Sequence, residues 1–292
     1  MDSTENIEFF GNDLHIQNKE NKLPKILFIT SYPPRECGIA TYSQDLIKAL
    51  YNKFSESFKL QICPVESENE KHIYTEEIKY ILNTDQSNSF IRLAFLINRN
   101  ASIKIVMIQH EFGFFVNKEE DFMQFLHALS KPVIIVFHTV LPHPNEPLKI
   151  KVQQISAVAE SIIVMTNTSA KVLGNDYEIL SGKITVIPHG THLVLHADKE
   201  LLKAKFKLSG KKVLSTFGLL SSGKSIETTL KALPAIIKNH PDVLFLIIGK
   251  THPSVVKHEG EKYRQMLQAL VEELELQHTC NLSIIFYRCL IY

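Results

Sequence analysis

Short, almost wholly apolar runs recur along the chain from residue 25: Lys25–Ser31, Phe58–Val65, Lys104–Gln109, Val133–His138, Ser161–Thr166 and Lys183–Pro188. Most are rich in Ile and Val and apolar at successive positions, the pattern of parallel strands covered on both faces. Stretches of helical period lie between several of them. In Ile39–Phe54 the residues Ile39, Tyr42, Leu46, Ile47 and Leu50 share one face, and in Glu119–Ser130 so do Phe122, Phe125, Leu126 and Leu129. Strands alternating with helices predict a doubly wound α/β sheet.

The rhythm pauses after Gly190. His196–Lys207 is polar and charged and reads as a linker plus a helix. The pattern then restarts with strand Lys211–Phe217, helix Ile226–His240, strand Val243–Ile248 and helix Glu259–Leu276, and a third strand is expected at Leu282–Tyr287. The expected organisation is a flexible tail over 1–24, a Rossmann-like domain over 25–195 and a second over 196–292, with the boundary near 191–210. An open α/β sheet usually has about five or six strands. The second domain therefore reads as incomplete, and Asn281–Tyr292 ends in apolar residues without a cap, so a shortened chain is expected.

Composition narrows the function classes. Of 292 residues, 45% are hydrophobic and 22% charged, which predicts a soluble globular protein. The net charge of +1 argues against nucleic-acid binding driven by overall charge. Cys37, Cys63, Cys280 and Cys289 form no CxxC pair, so neither a zinc site nor a disulfide framework is expected. Reduced thiols and the absence of a signal-like start predict a cytoplasmic protein. No apolar run reaches the ~20 residues of a spanning helix, which leaves peripheral membrane contact open.

The clearest chemical signal is Gly218-Leu-Leu-Ser-Ser-Gly-Lys-Ser225, placed between a strand and a helix. It matches GxxxxGK[ST] in the right context. A glycine turn lets backbone N–H groups approach an anion, and a helix N-terminus and Lys224 add positive potential. Gly218, Ser222, Gly223 and Lys224 are therefore candidate phosphate-binding residues; the plain alternative is an ordinary turn that caps a helix. An NTP-binding protein of P-loop type is the rival reading. It is weakened because the next strand, Val243–Gly249, ends without the acidic residue that holds magnesium, and Asp242 sits at its wrong end.

His138 ends an apolar strand, where open α/β sheets bind ligands; it could also merely cap backbone. His110 and Glu111 follow another buried strand and are candidates on the same ground, against a capping or salt-bridge role. Gly38 is expected to permit close backbone approach. Arg35 is a weaker candidate contact to a phosphate or acceptor. Among thirteen histidines, His189, His192 and His196 have helical spacing. Gly190 and the β-branched residues there disfavour a helix, and no metal site is expected.

These pieces in order resemble the family-4 retaining glycosyltransferases of GT-B fold, closest to bacterial mannosyl- or glucosyltransferases, over about Lys25 to Leu276. The resemblance rests on Ser31-Tyr-Pro-Pro-Arg-Glu-Cys-Gly-Ile-Ala-Thr-Tyr42, Gln109-His-Glu-Phe-Gly113, Phe137-His-Thr139, Ile187-Pro-His-Gly190, Phe217–Lys224 and Leu246-Ile-Ile-Gly249. It implies two Rossmann-like domains facing a cleft and hexose transfer from a nucleoside-diphosphate sugar. It also implies catalytic-site roles for His138, His110 and Glu111, with Gly38 near acceptor and donor. The donor would be a substrate, with no resident cofactor or catalytic metal, and the acceptor a glycan, a lipid or a small molecule. Leu219 stands where many relatives have arginine, Ser225 replaces a usual glycine, and the later region with paired glutamates is absent. A non-catalytic sugar-nucleotide-binding remnant is thus a further alternative.

Overall fold

The computed structural model describes residues 23–75, 77–191 and 197–283. Most of the expected tail, His192, His196, Cys289, the end of the expected last strand and the stretch Ile284, Ile285 and Phe286 lie outside the described residues. The chain divides into two compact units, one within Met1–Gly190 and the other within Thr191–Tyr292.

The first unit is built on a seven-stranded sheet in the order β3-β2-β1-β4-β5-β6-β7. The strands are β1 Lys25–Thr30, β2 Lys59–Glu66, β3 Leu82–Asn83, β4 Ile103–His110, β5 Val133–Phe137, β6 Ser161–Val164 and β7 Ile184–Val186. Every neighbouring pair is parallel. Leu27, Phe28 and Ile29 of the central strand are all fully buried, which is why the run is apolar at successive positions.

Helices α1 Gly38–Phe54, α2 Ser87–Arg99, α3 Glu119–Ala128, α4 Glu146–Val158 and α5 Asn167–Asn175 connect the strands. Helix α1 departs from expectation in its packing. Its expected apolar face is only half-buried, and the fully buried residues are Ala40 and Ser43. Small side chains let this helix lie close to β1, and the Ser43 hydroxyl meets the Thr30 hydroxyl at 2.6 Å. Helix α2 was not anticipated, although Phe90, Leu93, Ala94 and Ile97 carry the i, i+3, i+4, i+7 signature and are all buried.

The second unit has a three-stranded parallel sheet, β10-β9-β8, from β8 Lys212–Phe217, β9 Val243–Ile248 and β10 Cys280–Ser283. Helix α6 Lys199–Lys205 precedes it, α7 Ile226–Asn239 and α9 Lys262–Glu273 pack with it, and α8 Pro253–Glu259 lies between them in sequence. The helix expected over Glu259–Leu276 is present as α9, about three residues shorter at each end, and α8, which lies before the expected range, was not anticipated; Gly260, at φ +66, separates the two. Leu230, Leu233, Phe245, Ile247 and Leu267 form the centre of its core. Each such fully buried side chain contributes ~1.5–3 kcal/mol. Strand β8 is less covered: Leu214 is 41% and Phe217 66% exposed. Among the described residues no helix is long and apolar enough to cross a membrane.

Candidate functional site

Two groups of residues stand at the C-terminal ends of the strands, one in each unit. In the first, the His138 amide extends the ladder beyond β5 by donating to the His110 carbonyl at 3.1 Å. Its Nε2 lies 2.8 Å from Oε1 of Gln109, a residue with no exposed surface. The Tyr42 ring stands edge-on to His138 at 5.0 Å and edge-on to His189 at 4.9 Å. Burial, reinforced by the nearby His189, pulls the His138 imidazole down to about 4, and burial pushes the Tyr42 hydroxyl up. A neutral His138 that donates from Nε2 to Gln109 keeps Nδ1 as an acceptor.

Glu111 is engaged at both oxygens. Oε1 accepts the Phe112 amide at 3.1 Å and Oε2 accepts the Thr139 hydroxyl at 2.6 Å. The carboxylate thus ties the end of β4 to the residue after His138. Arg35 is equally committed: it donates to the Val65 carbonyl at 3.3 Å, pairs with Glu70 at 2.9 Å and lies over Phe114 at 5.3 Å. Gly38 opens α1, and a Cβ there would meet nothing within 4 Å. Among the described residues no backbone crowds this glycine, so the space beside it is open.

His110 ends β4, as expected, but its side chain is buried rather than open to a cleft. It is 2% exposed, and its ring is surrounded by Phe112, Phe115, Phe122 and Phe137 at centroid distances of 5.0 to 5.7 Å. Desolvation holds it down to about 3, with smaller contributions from His138 and Lys151. Among the described residues its Nδ1 has no hydrogen-bond partner. It lines an apolar cavity of about 90 Å³ bordered by the Lys151–Glu119 ion pair at 2.9 Å. In this setting it is a neutral core histidine. Gln109, Tyr42 and His189 were not anticipated. Gln109 read as strand, Tyr42 as helix face and His189 as a metal candidate, and their meeting depends on contacts remote in sequence. Among the described residues no group of His, Cys, Asp and Glu is placed to hold a metal.

The second group surrounds the turn after β8. The Gly218 amide donates to the Ile248 carbonyl at 3.0 Å and the Leu220 amide to the Lys250 carbonyl at 2.8 Å, so pairing runs past the strand ends. Ser222–Lys224 then form one 3-10 turn, and Ser225, left-handed at φ 48 and ψ 40, joins it to α7. Ser222, Gly223 and Lys224 are exposed, and Lys224 makes no ion pair among the described residues. The first amide of α7, that of Ile226, donates to the Tyr263 hydroxyl at 3.1 Å, which itself donates to Glu227 at 2.7 Å. Burial, with the Glu227 carboxylate adding to it, pushes Tyr263 up to about 12. Gly249 has φ +144, and a Cβ on it would lie 1.8 Å from the Gly218 carbonyl oxygen. The two glycine backbones are therefore in direct contact, which no other residue at 249 permits. Arg264 of α9 donates to the Gly249 carbonyl at 3.1 Å.

No protein-family model and no curated protein matches this sequence. Solved structures do match by shape. A glycosyltransferase from Rickettsia africae superposes with a TM-score of 0.63 at 17% identity, over 90% of this chain and 68% of its own. Anabaena HepE in complex with UDP-glucose gives 0.63 at 13% identity, over 89% and 69%. The UDP-GlcNAc 2-epimerase of Methanocaldococcus jannaschii gives 0.54 at 14% identity, over 89% and 73%. At these identities the likeness is one of fold. It places the chain in the GT-B class of two Rossmann-like α/β units, and that class carries more than one chemistry.

Proposed function

We propose that this chain is a glycosyltransferase that takes a hexose from a nucleoside-diphosphate sugar and passes it to a hydroxyl of an acceptor, in the manner of the retaining family-4 enzymes it resembles. The observation that carries this reading is the exposed Ser222–Lys224 turn, opened by Gly218 at the end of a parallel strand, in a fold that HepE shares with UDP-glucose bound. Breaking the bond between an anomeric carbon and a diphosphate builds negative charge on the leaving phosphate. Fixed N–H dipoles and a lysine aimed at that charge lower the barrier. Lys224 and the turn from Gly218 to Gly223 suit that task.

His138 has a supporting role in this reading. Being neutral, it does not act as an acid at physiological pH; its Nδ1 accepts a hydrogen bond from a donor hydroxyl while Gln109 fixes the ring. Glu111 orients the Thr139 side of the same loop. Glycan, lipid and small-molecule acceptors all remain within the reading.

The test is UDP release from UDP-glucose by the purified chain, first with water as acceptor and then with glycan and lipid acceptors, following the anomeric configuration of the product by NMR. The expected result is UDP release that Lys224→Ala lowers about tenfold or more, as loss of a charge-assisted hydrogen bond of ~1.5–3 kcal/mol implies. Product of inverted configuration removes the retaining assignment. A folded chain that releases no UDP with any acceptor removes the proposal.

A further inference from the structure

Arg264 is 7% exposed, yet a guanidinium stays charged at every working pH. Among the described residues it forms no ion pair, and one of its five donors is used, by the Gly249 carbonyl. Two carboxylates of neighbouring segments take hydroxyl partners instead. Glu261 accepts the Thr251 hydroxyl and Glu227 accepts the Tyr263 hydroxyl. Burying a cation without a counter-charge is unfavourable, so a site that does so is prepared for an anion. The position points to which anion. Arg264 holds the carbonyl of Gly249, and Gly249 is in backbone contact with Gly218, the first residue of the exposed turn. Within Gly218–Ser225, Lys224 is the one cation, because Leu219 brings no charge beside Gly218.

We propose that Arg264 is a second cation for the diphosphate of the donor, acting with Lys224 from behind the Gly218–Gly249 contact. This rests on reading the turn as the donor-phosphate site. The planar guanidinium keeps donors free for phosphate oxygens while Nη1 holds the strand end in place.

The test compares binding of UDP, inorganic pyrophosphate and uridine by calorimetry to the full chain and to Arg264→Gln. That variant keeps a donor for the Gly249 carbonyl and removes the charge. The expected result is a loss of tenfold or more for UDP and pyrophosphate with uridine unchanged, and recovery to within about threefold when Leu219→Arg is added. In the unaltered chain, the Arg264 Nε–Hε NMR signal is expected to shift with pyrophosphate and not with uridine, a readout independent of how the variant folds. UDP and pyrophosphate binding within twofold of the unaltered chain overturns the proposal. So does an equal loss for uridine, which is a purely structural effect, or an Arg264 signal unmoved by pyrophosphate. A folded, unaltered chain that binds neither UDP nor pyrophosphate overturns the donor-site reading itself.

Discussion

His138 and His110 end adjacent strands as similar residues in similar sequence settings, and the structure gives them opposite circumstances. The sequence placed both at strand ends. It could not show that Gln109 would hold one ring, or that four phenylalanines drawn from three segments would enclose the other. For His138→Ala the expected outcome is a kcat lowered about tenfold or more in the glucosyltransfer assay with little change in Tm, because the ring is only partly buried. Equal activity, or a chain that no longer folds, contradicts its role. For His110 the expectation concerns pH. Its folded value is about 3, below the unfolded value of about 6.5. As pH falls below 6.5 the unfolded chain takes up a proton that the folded chain refuses, so stability is lost progressively toward pH 3, by up to ~1.4 kcal/mol per pH unit. Urea denaturation between pH 6.5 and 4.5 should show a shallower pH dependence in His110→Phe than in the unaltered chain. An identical slope means that His110 is not held neutral. Arg264 was also beyond the reach of sequence reading, since it sits unremarked in a charged helix until Gly249 is seen beside it.

Strands and helices were the most legible level, because continuous apolar runs and 3.6-residue periodicity follow directly from burial on two faces or on one. Strands β1, β5 and β9 lie within a residue or so of the expected runs. The misses have local causes. Helix α2 was passed over despite its buried stripe, and the short helix α8, which ends just before Gly260, was passed over too. The two glycines Gly38 and Gly249 separate cleanly on structural grounds. Gly249→Ala puts a methyl against the Gly218 carbonyl at a positive φ, so a loss of roughly 3 kcal/mol or more is expected in the unfolding of the second unit. Gly38→Ala meets nothing and should leave stability within about 0.5 kcal/mol. Chemical denaturation of both variants checks this, and a mild Gly249→Ala would show that the two backbones are not locked together.

At the scale of the molecule, the two units repeat one topology with a difference. Strand β1 is flanked by β2 and β4 and is fully buried at its centre, whereas β8 pairs with β9 alone in the described residues and leaves Phe217 and Leu214 exposed. Among the described residues of the second unit's sheet, the exposed large apolar side chains Leu214 and Phe217 both lie on β8. An open parallel edge with apolar side chains favours association. Sedimentation should show self-association that rises with concentration and is reduced by Phe217→Ser; unchanged association in that variant would place the contact elsewhere. The alternation of strands and helices made two Rossmann-like units legible, and the molecule's proposed activity depends on the donor phosphate site. It is tested most directly by calorimetric titration of the unaltered chain with UDP-glucose and, separately, with ATP and magnesium. Saturable binding of UDP-glucose is expected, weakened about tenfold or more by Lys224→Ala, with no comparable binding of ATP. Tight ATP binding without any for UDP-glucose would contradict it and restore the P-loop reading.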